Sequence, residues 1–318
     1  MMKLCPRRYG GAIAVVDDGG WLGIEFLGSY IYDYNFAATA QAFTPSGFIP
    51  VSSLRIGSTI YYTRTTDNYV AYAPDSDPSN TLTVSPISAV GGIVTDGTYI
   101  YKMGGVDNIE RMTLPSGSFS NPSTDNANRA NSALCLGVKI FVASIYNTTV
   151  NRSSDLAVNW TSGTNNFAPS SHNGVRIAAN PSGSRIFVAY QLASDSSFGI
   201  KYSDDDGDTW SSSVLTFAGT SDGFANGQSF MYADGKYQLF TNAGKNYWST
   251  DGITWSTGAV IPYDVYQASY GIGKTIAVCG YNRIYETTDD GATWTLVTLP
   301  TAPTANAGDI PRTVWIGD

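Results

Sequence analysis

Apolar residues in this chain fall into short β-rich runs that break at a glycine and then resume. The pattern reads Leu54-Arg-Ile-Gly57 then Ile60-Tyr-Tyr62, Ile93-Val-Thr-Asp-Gly97 then Ile100-Tyr101, and Leu134-Cys-Leu-Gly137 then Ile140-Phe-Val142. It continues with Ile177 to Gly183 then Ile186-Phe-Val188, Phe230 to Gly235 then Tyr237-Gln-Leu-Phe240, and Tyr270 to Gly273 then Ile276-Ala-Val278. Short β-forming runs on both sides of a glycine predict hairpins. The glycines at 57, 97, 137, 183, 235 and 273 are spaced 40, 40, 46, 52 and 38 residues apart. A repeat of about 40–50 residues is the length of a four-stranded propeller blade.

The two ends read as halves of one unit. Thr313-Val-Trp-Ile-Gly317-Asp318 is a first half with nothing after it, and Gly10-Gly-Ala-Ile-Ala-Val-Val16 is a second half with nothing before it. The pattern therefore predicts an all-β, seven-bladed β-propeller, with six blades as the alternative, whose closing blade is shared between the termini. One domain spans 1–318. Its expected blades are approximately 10–48 plus 311–318, 52–90, 92–130, 132–172, 174–225, 228–262 and 266–300. The least regular stretches are Asp17 to Phe48 and Pro115 to Asn131.

A second repeat lies in the turns. Ser203-Asp-Asp-Asp-Gly-Asp-Thr-Trp210 and Thr287-Thr-Asp-Asp-Gly-Ala-Thr-Trp294 share one grammar; Ser249-Thr-Asp-Gly-Ile-Thr-Trp255 is a residue shorter, and Ser153-Ser-Asp-Leu-Ala-Val-Asn-Trp160 is degenerate. The aspartate can accept backbone N–H groups, the glycine supplies positive φ, the threonine continues the returning strand, and the tryptophan packs into the layer below. These segments resemble the Asp-box (BNR) β-propeller superfamily, which includes sialidases, other glycoside hydrolases, sorting-receptor ectodomains and photosystem assembly factors. The resemblance runs from Ser153 to Trp294. It implies structural staples on the outer hairpins of the blades, carried by Ser153, Asp155 and Trp160; Ser203, Asp205, Gly207 and Trp210; Ser249, Asp251, Gly252 and Trp255; and Thr287, Asp289, Gly291 and Trp294.

Composition narrows the function classes. Charged residues are 14 %, against ~25 % in ordinary soluble proteins, while Gly, Ser and Thr make up nearly a third of the chain. Such a mixture excludes a helical architecture. The net charge is −8 and the 18 basic residues are scattered, so no phosphate-tracking surface is expected and nucleic acid is not a partner. No apolar run approaches the ~20 residues of a membrane span. Lys3, Arg7 and Arg8 precede Ala12 to Val16, a stretch that stops at Asp17-Asp18 and is too short for a signal-peptide core of ~7–15 residues. The chain is read as lacking an export signal.

Candidate chemistry is sparse. Cys5, Cys135 and Cys279 lack metal-ligand spacing, and Cys135 and Cys279 are expected as buried thiols. His172 is the only histidine, in the turn-rich stretch Pro169 to Gly174, which closes off imidazole-built zinc sites. Asp204-Asp205-Asp206-Gly-Asp208 lacks the spacing and distal glutamate of an EF-hand loop and reads as a solvated turn. No cofactor or metal is expected. The resemblance to sialidases implies three clamping arginines, a Tyr–Glu nucleophile pair and an Asp acid/base. The nearest matches are Arg55, in Leu54-Arg55-Ile56-Gly57, and Glu110-Arg111; Glu25 and Glu286 sit in strand-like runs. Arg55 falls on an ordinary repeat position, so the reading leans away from an enzyme. Tyr, Ser, Thr, Asn and Gly fill the stretches Ala71 to Asn80, Asn121 to Asn131 and Asn159 to Asn173, chemistry suited to recognition loops.

Low charge, this polar-aromatic richness and the missing leader together resemble bacteriophage virion proteins. That resemblance implies a non-catalytic structural or binding module, tail- or fibre-associated. It would assemble from the host cytoplasm and act in host attachment, with other virion proteins or a cell-surface glycan or receptor as partners, and with homo-oligomerisation left open to it. The alternatives are an extracellular sialidase-like glycoside hydrolase and a cellular assembly-factor propeller.

Overall fold

The computed structural model describes residues 21–24, 30–33, 41–42, 50–64, 69–74, 82–86, 93–102, 109–115, 117–122, 132–144, 147–169, 172–180, 185–194, 196–217, 223–224, 229–271, 273–280 and 283–298. Among these residues every regular element is a strand. They are β1 (Trp21–Ile24), β2 (Tyr30–Asp33) and β3 (Gln41–Ala42); β4 (Pro50–Ile56), β5 (Thr59–Arg64), β6 (Tyr69–Pro74) and β7 (Leu82–Pro86); and β8 (Ile93–Thr95), β9 (Tyr99–Lys102) and β10 (Glu110–Thr113). There follow β11 (Ser132–Leu136), β12 (Lys139–Ala143), β13 (Asn151–Ser153) and β14 (Thr161–Ser162); then β15 (His172–Ala179), β16 (Ile186–Leu192), β17 (Phe198–Ser203) and β18 (Leu215–Phe217). The last are β19 (Phe230–Ala233), β20 (Lys236–Phe240), β21 (Asn246–Ser249) and β22 (Ser256–Thr257), with β23 (Val265–Gly271), β24 (Lys274–Cys279), β25 (Arg283–Thr287) and β26 (Thr295–Leu296).

Each group is one antiparallel meander of chain-consecutive strands; β1–β3 and β8–β10 are three-stranded and the other five sheets four-stranded. The hairpins form where the glycine pattern placed them. Asp234 and Gly235 both take positive φ (49° and 72°) between the paired residues Ala233 and Lys236, a two-residue loop whose twist matches that of its strands. The first strands of successive sheets lie beside each other: β4 by β8, β8 by β11, β11 by β15, and β15 by β19.

Both faces of an inner sheet are apolar because each is covered by a neighbour. Along β16, Ile186 and Val188 pack with Leu134, Phe141 and Val175, while Phe187 and Ala189 on the other face pack with Phe230 and Leu239 of the following sheet. Each of the large side chains contributes roughly 1.5–3 kcal/mol by leaving water, and Ala189 less. Met231, Phe240, Val265 and Ala277 continue the layering.

Several expectations change. Ala71 to Pro74 belong to β6, and Ala71 and Ala73 are buried core rather than recognition loop. Within 159–173, Phe167 and Ala168 are fully buried, because the chain folds back and the Phe167 N–H donates to Thr148 O. His172 is not in a turn: it opens β15 and is buried, with Nε2 2.9 Å from Ser144 O and the ring edge-on to Phe167. Cys135 is half-buried rather than buried, and its Sγ lies 3.2 Å from Gly137 O; Cys279 is buried, and burial pushes its thiol pKa up. The end segments 10–16 and 313–318, and with them the shared closing blade, lie outside the described residues, as do Cys5, Glu25 and Gly183. No helix among the described residues is long and apolar enough to cross a membrane.

Candidate functional site: the tryptophan turns and the clefts between sheets

Four turns ending in tryptophan join the third and fourth strands of their sheets. In the turn after β17, the Ser203 hydroxyl donates to Asp205 Oδ1 (2.8 Å) and accepts the Gly207 N–H (2.7 Å). Asp205 then accepts the Thr209 N–H on Oδ1 (2.8 Å) and the Thr209 hydroxyl on Oδ2 (2.6 Å). The turn after β25 repeats this with Thr287, Asp289, Gly291 and Thr293 at 2.6–3.0 Å. Both threonines are spent inside the turn. They do not continue the returning strand, which opens after the tryptophan at Thr295 in one sheet and only at Leu215 in the other.

The degenerate copy is geometrically complete. Ser153 bonds Asp155 and the Ala157 N–H, and Asn159 supplies Nδ2–H to Asp155 Oδ2 (2.7 Å) where the others use a threonine hydroxyl. Leu156 and Ala157 hold φ of 63° and 68°, a left-handed conformation that costs an L-residue about 1–2 kcal/mol each. In the short copy, Asp251 Oδ1 accepts the Ile253 and Thr254 N–H groups, both at 2.8 Å.

These bonds stabilise the ionised aspartates. The hydroxyl and N–H of Thr209 lower Asp205 to about 2, the Thr254 and Ile253 N–H groups lower Asp251 to about 2, and the Thr287 and Thr293 side chains lower Asp289 to about 2. The Asn159 N–H lowers Asp155 in the same direction. The tryptophans are half-buried rather than engulfed. Trp160 packs against the apolar cluster that holds Val94 and Tyr101 of the preceding sheet together with Ile140 and Val142 of its own, Trp210 sits edge-on to Phe167 at 5.9 Å, and Trp294 edge-on to Phe240 at 6.0 Å. Trp255 lies 6.3 Å from Phe230.

Each eight-residue turn is clasped by polar side chains of the sheet before it. Arg111 donates to Leu156 O. Arg152 donates to Asp206 O (3.1 Å) and forks onto both carboxylate oxygens of Asp208 (2.9 and 2.7 Å), while Lys139 pairs with Asp206. Lys236 holds both oxygens of Asp290 at 2.7 Å, and Asn246 Nδ2 reaches Asp290 O at 3.4 Å. Thus the neighbouring sheet grips the fourth residue of each turn, Leu156, Asp206 and Asp290, and in the second turn Asp208 as well.

Register makes the cations equivalent. Ser153 pairs with Ile140, Ser203 with Ile186, Ser249 with Tyr237 and Thr287 with Thr275. The residue before each partner is basic: Lys139, Arg185, Lys236 and Lys274. The signal, a cation one or two places after the hairpin glycine (Gly137-Val-Lys139, Gly183-Ser-Arg185, Gly235-Lys236, Gly273-Lys274), is legible in the sequence, and hydrophobic patterning alone passes over it.

Arg185 differs in its surroundings. The turn that faces its sheet, Ser249 to Trp255, is the short one: Gly252 follows Asp251 directly, without the residue that stands between aspartate and glycine in the eight-residue turns. Arg185 turns instead to its own sheet, with Nε 2.6 Å and Nη2 2.9 Å from the two oxygens of Asp204 and its guanidinium 4.0 Å from the Tyr202 ring centre. A cleft of about 330 Å³ remains, lined by Asn180, Arg185, Asp204, Tyr232, Tyr237, Thr250 and Asp251. Tyr232 and Tyr237 meet edge to face at 4.8 Å, and burial raises the Tyr237 hydroxyl pKa.

The sialidase-like candidates do not converge. Glu110 lies opposite Lys102 and pairs with it at 3.2 Å. Arg111, the next strand residue, points to the other face, over the Tyr99 ring at 4.7 Å. Arg55 sits on β4 opposite Ile60, in a different sheet, and its side chain lies outside the described residues. Glu286 pairs with Lys274 at 2.6 Å. The aspartates of the 204–208 cluster diverge, Asp204 to Arg185, Asp206 to Lys139 and Asp208 to Arg152, while Asp205 bonds within its own turn. Among the described residues no three His, Cys, Asp or Glu side chains are placed to hold a metal ion.

No protein-family model matches the chain, and no curated protein matches it in sequence. Solved structures do. A putative 6-phosphogluconolactonase from Bacteroides uniformis superposes with a TM-score of 0.62 at 11 % identity, covering 94 % of this chain and all (100 %) of the other. YCF48 bound to D1 peptide gives 0.59 at 12 % identity, covering 86 % of this chain and 98 % of that one. A propeller from a nidogen/laminin complex gives 0.52 at 10 % identity over 94 % and 98 %. At these identities the likeness carries the fold: the protein is a β-propeller.

Proposed function

We propose that this chain is a non-catalytic, seven-bladed propeller of the Asp-box type, closed by a blade shared between its termini, and that it serves as a binding and structural module of a bacteriophage virion. Its place would be at the tail or fibre, with another virion protein or a host-surface glycan or receptor as partner. The observation that carries the non-catalytic part is the engagement of the candidate acids and bases. Among the described residues Glu110, Glu286, Asp204, Asp206 and Asp208 are each held by a cation, and Asp251, which lines the Arg185 cleft beside Asp204, is held by the N–H groups of its own turn, so both carboxylates of that cleft are already engaged, where a glycosidase needs a pair free to act on its substrate. A structure of YCF48 with a bound peptide supports the use of such a fold for capturing a partner. The virion assignment rests on the low charge and the Ser, Thr, Asn, Gly and Tyr content, with a closed ring that leaves no sheet edge to aggregate at high copy number. Density-gradient fractionation of the source with mass spectrometry tests it. Sedimentation with capsid and tail proteins in fixed ratio is expected; a chain that stays soluble and hydrolyses a glycoside overturns both parts.

A further inference from the structure

We propose that the cleft at Arg185 is a docking site for a turn of a partner polypeptide, whose acidic residue supplies the carboxylate that the short Ser249–Trp255 turn lacks. The inference rests on reading the propeller as a binding module and names where and how it would bind.

The next sheet provides the template. There Lys236 lies 5.9 Å from the Trp248 ring and grips both oxygens of Asp290 on the facing turn. Lys236 precedes the partner of Ser249, and Trp248 precedes Ser249 itself. Arg185 and Tyr202 occupy the same two positions relative to Ser203, at 4.0 Å from each other. Lys139, again at this position, pairs with Asp206. The two cations at this register position that face an eight-residue turn, Lys139 and Lys236, therefore hold the side chain of its fourth residue, and that residue is aspartate in left-handed conformation (φ 60° and 62°).

At Arg185 the cation and the aromatic are present, and the facing turn puts a glycine, Gly252, where the others put a side-chain-bearing fourth residue. Arg185 spends Nε and Nη2 on Asp204, and its Nη1 makes no hydrogen bond among the described residues. A guanidinium can donate to a second carboxylate through that end. The acidic surroundings do not forbid it, since Lys236 holds Asp290 with Asp234 only 3.9 Å away. The chain itself cannot fill the space by adding a side chain at Gly252, where a Cβ would lie 2.1 Å from Phe187 Cζ. A polypeptide is favoured over a saccharide because the sites that share this register are filled by a turn residue.

The test uses the full chain and a synthetic octapeptide with the sequence of Thr287 to Trp294. Titration calorimetry, which reads the native chain and every variant alike, should show saturable binding, and in the native chain the Arg185 side-chain Nε–H should shift along the same isotherm by NMR. Replacing the aspartate that corresponds to Asp290 by asparagine in the peptide should weaken it about tenfold, the loss expected for a charge-assisted bond. Arg185→Ala should abolish it, and Arg185→Lys should restore part. A variant with one aspartate inserted between Asp251 and Gly252 should lose binding while melting at or above the native temperature, since it fills the cleft from within. Absence of saturable binding, undiminished binding to the insertion variant, or a methyl glycoside binding where the peptide does not would each overturn the proposal. If the native chain still sediments with particles while the peptide fails, the cleft falls and the binding-module reading stands; if the peptide binds a chain that never meets particles, the reverse holds.

Discussion

Lys236 on one sheet holds both carboxylate oxygens of Asp290 on the next at 2.7 Å. The pair closes the seam between two layers that otherwise meet through Met231, Phe240 and Ala277. With side chains 20 % and 32 % exposed, its coupling energy should be about 1 kcal/mol, near the upper end for ion pairs in contact with solvent. A double-mutant cycle with Lys236→Met and Asp290→Asn, read by denaturant unfolding, measures it. Additive single losses would show that the two groups do not act together.

Acid should loosen the turns in a defined window. Asp205, Asp251 and Asp289 have folded pKa values of about 2, below the ~3.9 of an unfolded aspartate. A depressed carboxylate adds stability that is fully present above the unfolded pKa and is lost as pH falls through the folded one. The melting temperature should therefore hold steady above about pH 5 and fall between about pH 4 and 2. Asp205→Asn should lower the plateau and make the fall shallower; an unchanged acid limb would show that other carboxylates set it.

Gly252→Ala should be among the most damaging small substitutions. The added Cβ would lie 2.1 Å from Phe187 Cζ at a residue with φ +73°, so steric and backbone costs combine. A loss of about 3 kcal/mol is expected. At Gly235 no atom lies within 4 Å of the added Cβ, so Gly235→Ala should cost only the left-handed strain, about 1–2 kcal/mol. Equal losses at the two glycines would contradict the close seating of the short turn.

Trp294→Ala should cost about 2–3 kcal/mol, less than the 3–5 kcal/mol of a fully buried tryptophan, because the ring is half-buried against Phe240. Trp→Ala at Trp210, edge-on to Phe167, should behave alike. Thermal melting of both variants checks this; no change would mean that the rings do not fasten the sheets.

Much of this architecture is legible in the sequence because hairpins are local. A glycine between two β-rich runs sets its own turn, and the pairing of Ala233 with Lys236 follows from two residues. What escaped the sequence depends on neighbours. Phe167 and His172 lie in a polar stretch, and only the chain's return beside Thr148 and Ser144 buries them. Glu110 and Arg111 are adjacent in sequence, yet strand alternation sends them to opposite faces. The 153–160 turn looked degenerate since its letters changed, while Asn159 could still donate two hydrogen bonds to Asp155. The cation beside the second strand of the four sheets with tryptophan turns is readable, but for Lys139 and Lys236 the partner stands on the following repeat, and its meaning needs the register.

The clasps at the eight-residue turns all run one way: Arg111, Lys139, Arg152 and Lys236 each grip a turn that lies later in the chain. A sheet leaving the ribosome therefore has its cations in place before the turn they will seize exists. Its outer edge gains its fastening only after roughly another 40–50 residues have been translated, a delay of a few seconds at ordinary elongation rates of ~5–20 residues per second. Folding of this ring during synthesis should trail translation by one repeat.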